Sequence, residues 1–182
     1  MIKWFIHRYI RNLERRYDYD GTYMHELADI STAAFRRFAL MQMAGGQWRG
    51  DAPKDAWFAV GIADALVEDC GPCVQIASDM AVEGGMPAES IRAVLSGARS
   101  NSDAQIGFDY GRALLMGGDN LDELREVIVA KWGKKALIAL SLRAMSGRNF
   151  PVLKRAMGHA KTCQRVRIGN SEIAVNPTLK AA

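Results

Sequence analysis

The sequence predicts an all-α fold, a helical bundle with a Cys-x-x-Cys pair at the start of a central helix. Three observations predict it. Apolar residues recur at helical spacing along most of the 182 residues. β-Branched residues are outnumbered by Ala, Leu, Met and Arg, which are better helix formers. Gly-Gly, Asp-Gly and Pro breaks punctuate the chain at helix-sized intervals, and strand patterns are thin everywhere.

The first helix is "MIKWFIHRYIRNLERRY", with Ile2, Phe5, Ile6, Tyr9 and Leu13 near one face, and Asp18 to Gly21 breaks it. Thr22 is placed to cap a second helix that reaches Gly45-Gly46, with a stripe of Leu27, Ile30, Ala34, Phe35, Phe38 and Met41. After the loop "QWRGDAP", Pro53 stands where a first helical turn tolerates proline, leading into a helix over 55–67. A fourth helix begins at Cys70-Gly71-Pro72-Cys73 and runs to Gly84-Gly85. Pro87 opens a fifth, and Ser102 or Asp103 caps a sixth that ends at Gly117-Gly118. Asn120 opens a helix pair through "LDELREVIVAKWG" and "KKALIALSLRAMSG", and "NFPVLKRAMGHAKTC" closes the series. From Val166 the tail alternates weakly and is expected to be loose or to pack as an arm. The organisation is thus a helical extension over 1–50, a helical domain over 51–165 and a tail over 166–182.

Composition narrows the function classes. At 49% hydrophobic and 24% charged residues the chain is ordinary globular material, large enough for one core. A net charge of +4 is mild for this length and does not point to nucleic acid. No apolar run reaches the roughly 20 residues of a membrane span. The first residues lack the apolar core and cleavage site of a secretory signal, so a cytoplasmic location is expected. In that compartment three cysteines point to redox, catalytic or metal chemistry before a structural disulfide framework.

The chemistry concentrates at Cys70-Gly71-Pro72-Cys73, the active-site tetrapeptide of thioredoxin, here among helices instead of after a strand. A cysteine in a first helical turn lies near backbone N–H groups that favour the thiolate. Two intervening residues keep both sulfurs within reach of one disulfide, and Pro72 stiffens the turn without losing an interior hydrogen bond. Glu68 and Asp69 oppose the thiolate if they face it. Glu68 could instead serve as a local base.

The order of elements over 55–161 resembles the carboxymuconolactone decarboxylase superfamily, in its alkylhydroperoxidase D-like branch. The residues that carry the resemblance are the CGPC helix, then "GGMPAESIRAVLSG", then "LDELREVIVAKWGKKALIALSLRAMSGRNFPVLKRAMG". It implies an all-helical dithiol oxidoreductase without bound cofactor, reducing a small hydroperoxide or a disulfide at the expense of a thiol reductant. It implies a homo-oligomer as well. In that branch the second cysteine, here Cys73, attacks peroxide, and the first, here Cys70, resolves the product. By helix geometry alone Cys70 is the better thiolate and would lead in a disulfide-reductase role. The branch's relay glutamate and histidine fall at positions held here by Phe58 and Ala77, and its usual His or Tyr between the cysteines is Pro72. Glu68 is therefore the nominated base, with Asp69 second. The decarboxylase branch generally lacks the cysteine pair, which argues against that reaction.

Other readings stand beside this one. The pair could be two buried, inert hydrophobes on a scaffold that has lost its relay. His159 and Cys163, four apart, could complete a Cys3His zinc set with Cys70 and Cys73. "WGKKAL" lacks the glycines of a phosphate loop. The methionines, including Met41, Met43 and Met145, read as core. His7 and His25 have no visible partner in sequence. Residues 1–16 carry five basic side chains against Glu14 alone, beside Trp4, Phe5 and Tyr9. Such a helix either packs on the core or a neighbouring subunit, or lies on an anionic membrane surface. Its continuity with a second apolar helix favours packing.

Overall fold

The computed structural model describes residues 2–159, 165–169 and 171–179 and has the expected all-α architecture. In chain order its helices are α1 (Ile2–Tyr17), α2 (Thr22–Ile30), α3 (Thr32–Gly46), α4 (Lys54–Val67), α5 (Gly71–Glu83), α6 (Ala88–Ser96), α7 (Asp103–Met116), α8 (Leu121–Gly147) and α9 (Asn149–Ala156). A short antiparallel hairpin follows, β1 (Arg165–Ile168) and β2 (Ser171–Ala174), with Val166 opposite Ile173.

α4 is the axis of the bundle. Its composition, "KDAWFAVGIADALV", is small and apolar on every side, and its residues from Ala59 to Leu66 are all buried. Small residues also let α7 approach it closely. A Cβ on Gly107 would strike the backbone of Ala56, and one on Gly111 would press on Val60 and Ala63. One flank of α4 packs with α5, α6, α7 and the hairpin, and the other with α7 and α8. A third cluster joins α1, α2 and Phe35 of α3, with Leu153 and Met157 from α9 and the residue after it.

Three sequence expectations change. The helix expected from Thr22 to Gly46 is two, because Ser31 is extended (φ −155°) and its side chain accepts from the Ala34 N–H at 3.1 Å, capping α3. That break turns Ile30 and Met41 out of the expected stripe and into solvent, with Met43; Met145 on α8 is exposed too, so these methionines are not core. The described part of the tail carries a β-hairpin where no strand is expected, and it packs as an arm instead of lying loose. Val166, Ile168, Val175 and Leu179 are buried in the same cluster as Cys70 and Cys73. The expected helix pair after Asn120 is present as two segments of α8 joined at Gly133, whose φ of 83° is left-handed and suits glycine.

Candidate functional site

The cysteine pair sits where α4 hands over to α5. Three residues, Glu68, Asp69 and Cys70, make the turn. The Cys70 N–H donates to the Ala65 carbonyl at 3.1 Å, and Asp69 takes a left-handed φ of 48°, a conformation aspartate tolerates better than most residues. Cys70 is the N-cap of α5, Pro72 stands in its first turn, and Cys73 follows one residue later. Cys70 and Cys73 are joined by a disulfide, with Cα atoms 5.2 Å apart, within the range a bridge accepts. The loop it closes is so short that chain entropy gives the bridge only about 2 kcal/mol. Reduction therefore leaves the rest of the core in place.

Both sulfur-bearing residues are nearly dry, Cys70 at 1% and Cys73 at 5% exposure. The hairpin accounts for part of this cover. Gln75, two residues after Cys73, grips its first strand by donating to the Arg167 carbonyl and accepting from the Arg167 N–H, each at 2.7 Å.

Glu68 is buried at the end of α4 and reaches the closing helices. Its Oε1 accepts from Arg148 (Nε at 2.7 Å), and its Oε2 accepts from Arg155. Both guanidiniums are roughly half exposed, so the charge on Glu68 is compensated by partners that also touch water. Arg148 and Arg155 were not singled out by sequence reasoning. Asp69 is in the turn as expected, and its side chain is engaged.

One turn earlier on α4 stands Asp64, also missed. It is fully buried, and neither carboxyl oxygen has a hydrogen-bond partner among the described residues. Burial pushes its carboxyl well above the usual aspartate range, against the pull of Arg143 and Arg148, and the Glu68 charge pushes it further. Asp64 and Arg143 occupy reciprocal notches. A Cβ on Gly147 of α8 would fall on the Asp64 carboxyl, and a Cβ on Gly61 of α4 would fall on the Arg143 guanidinium. Arg143 in turn lies 4.3 Å from the Trp57 ring centre, a cation–π contact away from water. The legible signal was Asp64 four before Glu68 on one apolar helix, which places two carboxyls on one face.

Phe58 and Ala77 are packing residues. Phe58 fills the space in front of Gly84 and meets Trp57 edge to face, and Ala77 lies against the cysteine-bearing core. No acid or imidazole stands at either position. Of the zinc set, His159 bonds Glu26 at 2.7 Å, Cys70 and Cys73 bond each other, and Cys163 lies outside the described residues. Among the described residues no cluster of His, Cys, Asp and Glu could hold a metal. His7 and His25 are each other's partner, stacked with Nδ1 atoms 2.5 Å apart and flanked by Asp29 and Glu14. An open cleft of about 540 Å³ lies between α7, α8 and α9, lined by Leu114, Leu115, Met145 and Val152 with Arg148 at its edge; no cysteine lines it.

Comparison with known proteins finds no matching family model, no matching curated protein and no matching solved structure.

Proposed function

We propose that this protein is a dithiol oxidoreductase of the alkylhydroperoxidase D-like type, working through Cys70 and Cys73 without a bound cofactor. The observation that carries the reading is the Cys70–Cys73 disulfide at the cap and first turn of α5. A bridge there opens at low cost to the fold, and exchange needs a reductant to reach sulfurs that the core and the hairpin cover. In the peroxidase cycle the Cys73 thiolate attacks the distal oxygen of a hydroperoxide, the O–O bond breaks, and the alkoxide takes a proton and leaves as alcohol. The sulfenic acid on Cys73 condenses with the Cys70 thiol, releasing water and forming the disulfide. An external dithiol reduces that disulfide by exchange and is itself oxidised.

Glu68 is the base of this reading, and its two arginines set the terms. Both its oxygens are occupied, two residues before Cys70 in the chain. To take a thiol proton Glu68 would have to give up one of these arginine bonds. Asp64, one turn back, is pushed towards its protonated form by burial, against the pull of Arg143 and Arg148. General-base help is worth roughly 100- to 10,000-fold, so a base held this way makes a slow peroxidase. A homo-oligomer belongs to the same reading, with the exposed apolar side chains of α3 and α8 (Leu40, Met43 and Ile138) as its contact surface. Light scattering at micromolar concentration tests it, and a stable monomer would remove it.

A second reading is favoured by Phe58 and Ala77 at the relay positions and by the dryness of both cysteines: a non-catalytic scaffold that retains the pair as core. The experiment that separates the two is peroxide consumption with a dithiol reductant. The oxidoreductase reading expects turnover in the wild type and none above background in Cys73→Ser with the fold intact. Equal rates in the two proteins would leave the scaffold.

A further inference from the structure

The outer face of α1 carries two kinds of side chain that rarely share an exposed surface. The inner face is committed to the protein: Ile6, Ile10, Leu13 and Tyr17 pack with the α2 cluster, and Lys3 ties the start of α1 to Asp29 at the end of α2. The outer face leaves Ile2, Trp4, Phe5 and Tyr9 in water, Trp4 at 54% and Phe5 at 62% exposure. Ile30, beside Asp29 at that same end of the hairpin, is exposed with them. Next to this apolar group runs a basic stripe at helical spacing, Trp4, Arg8, Arg11 and Arg15, all on one side of the helix. Arg8 lies over the Trp4 ring at 5.5 Å, and neither Arg8 nor Arg11 has an acidic partner among the described residues.

We propose that this face docks the protein on an anionic lipid surface, with α1 lying in the plane of the interface. Aromatic side chains with an apolar body favour the headgroup level, and unpaired arginines beside them are drawn by the negative surface potential. Charge decides between this occupant and a second copy of the chain. A two-fold contact centred on this face would bring the Arg8–Arg11 stripe against the same stripe of the copy, and like charges across an interface are costly. The face offers no acid to offset that, because the one acid of α1, Glu14, points inward to His25 and the Gly21 N–H. The helix anchors peripherally and does not span: among the described residues no helix is long and apolar enough to cross a membrane.

The test is co-sedimentation of the full chain with phosphatidylcholine vesicles, with and without phosphatidylglycerol, at low and high salt. Binding is expected on the anionic vesicles only, weakened by salt. Replacing both arginines, Arg8→Gln with Arg11→Gln, should weaken it about 30-fold, at the free energy each basic residue contributes near such a surface. Trp4→Ser with Phe5→Ser should weaken it too, while circular dichroism and melting temperature stay put. Equal binding to both vesicle types, or none to either, overturns the proposal. So does a salt-sensitive rise in solution mass that the same substitutions abolish, since a second copy would then cover the face.

Discussion

α4 and α1 are both helices of about the same length, and they break the usual rule of burial in opposite directions. α4 is buried all round yet carries Asp64 and Glu68 into the dry interior. α1 is pinned along one face, with Ile10 its one buried residue, yet holds Trp4, Phe5 and Tyr9 in water. A buried polar group and an exposed apolar cluster are the informative departures, because apolar surface is common on any protein and buried acid is not. Each departure has a cost that nothing in the same helix offsets. For α4 the compensation comes from α8 and α9, through Arg143, Arg148 and Arg155. For α1, among the described residues, the exposed rings meet only in the Trp4–Phe5 and Arg8–Trp4 contacts of the helix itself. The contrast separates a polar cluster built inward, beside the cysteine pair, from an apolar and basic surface that faces outward.

Three substitutions probe that contrast. Ile62→Ala, in the middle of α4 and fully buried, should cost about 2–5 kcal/mol of stability by denaturant unfolding. A loss below that would mean α4 is less central than its burial says. Asp64→Asn tests the buried acid through its pH dependence. The Asp64 carboxyl is raised in the folded state, so the unfolded chain gains by ionising first, and the wild type loses stability as pH rises above about 4. The variant lacks that loss. Its melting temperature should match the wild type in acid and exceed it increasingly towards alkaline pH; the reverse slope would mean that Asp64 is an ion-pair partner of Arg143, stabilised as the charged form. Trp4→Ser should move stability by no more than about 0.5 kcal/mol, since the ring is exposed and its ring contacts are with Arg8 and Phe5 of the same helix. A larger effect would show that the outer face of α1 is already covered by a copy of the chain.

Much of this was legible in the sequence, and the misses share a cause. Helix existence followed from composition and from Gly and Pro breaks, and even the division of α8 near Gly133 showed in "AKWGKK". The α2–α3 break did not, because a single serine cap inside a continuous apolar pattern looks like any surface serine until its backbone is extended. The hairpin was hidden because four-residue strands carry too little alternation to stand out, and their burial depends on α5 and α6, far away in sequence. The cysteine pair and Glu68 lie within six residues, so their neighbourhood in the chain was legible without the fold. Arg148 and Arg155 lie 80 and 87 residues beyond Glu68, and no local pattern links them. Asp64 read as the polar end of an apolar run. That the carboxyl stays inside depends on Gly147 of α8, 83 positions further along the chain, which leaves room for it.

The central claim is that Cys70 and Cys73 form a working redox pair and not a buried relic. The most direct measurement is the pH–rate profile of thiol alkylation in folded, reduced protein, for the wild type and Glu68→Gln. One cysteine should react in the folded state with a midpoint below about pH 8, as expected for a thiolate at a helix start. Glu68→Gln should lower that midpoint further, because it removes a negative charge two residues before Cys70 in the chain and leaves Arg148 and Arg155 in place. Thiols that react only in denaturant, in both proteins, would contradict the account.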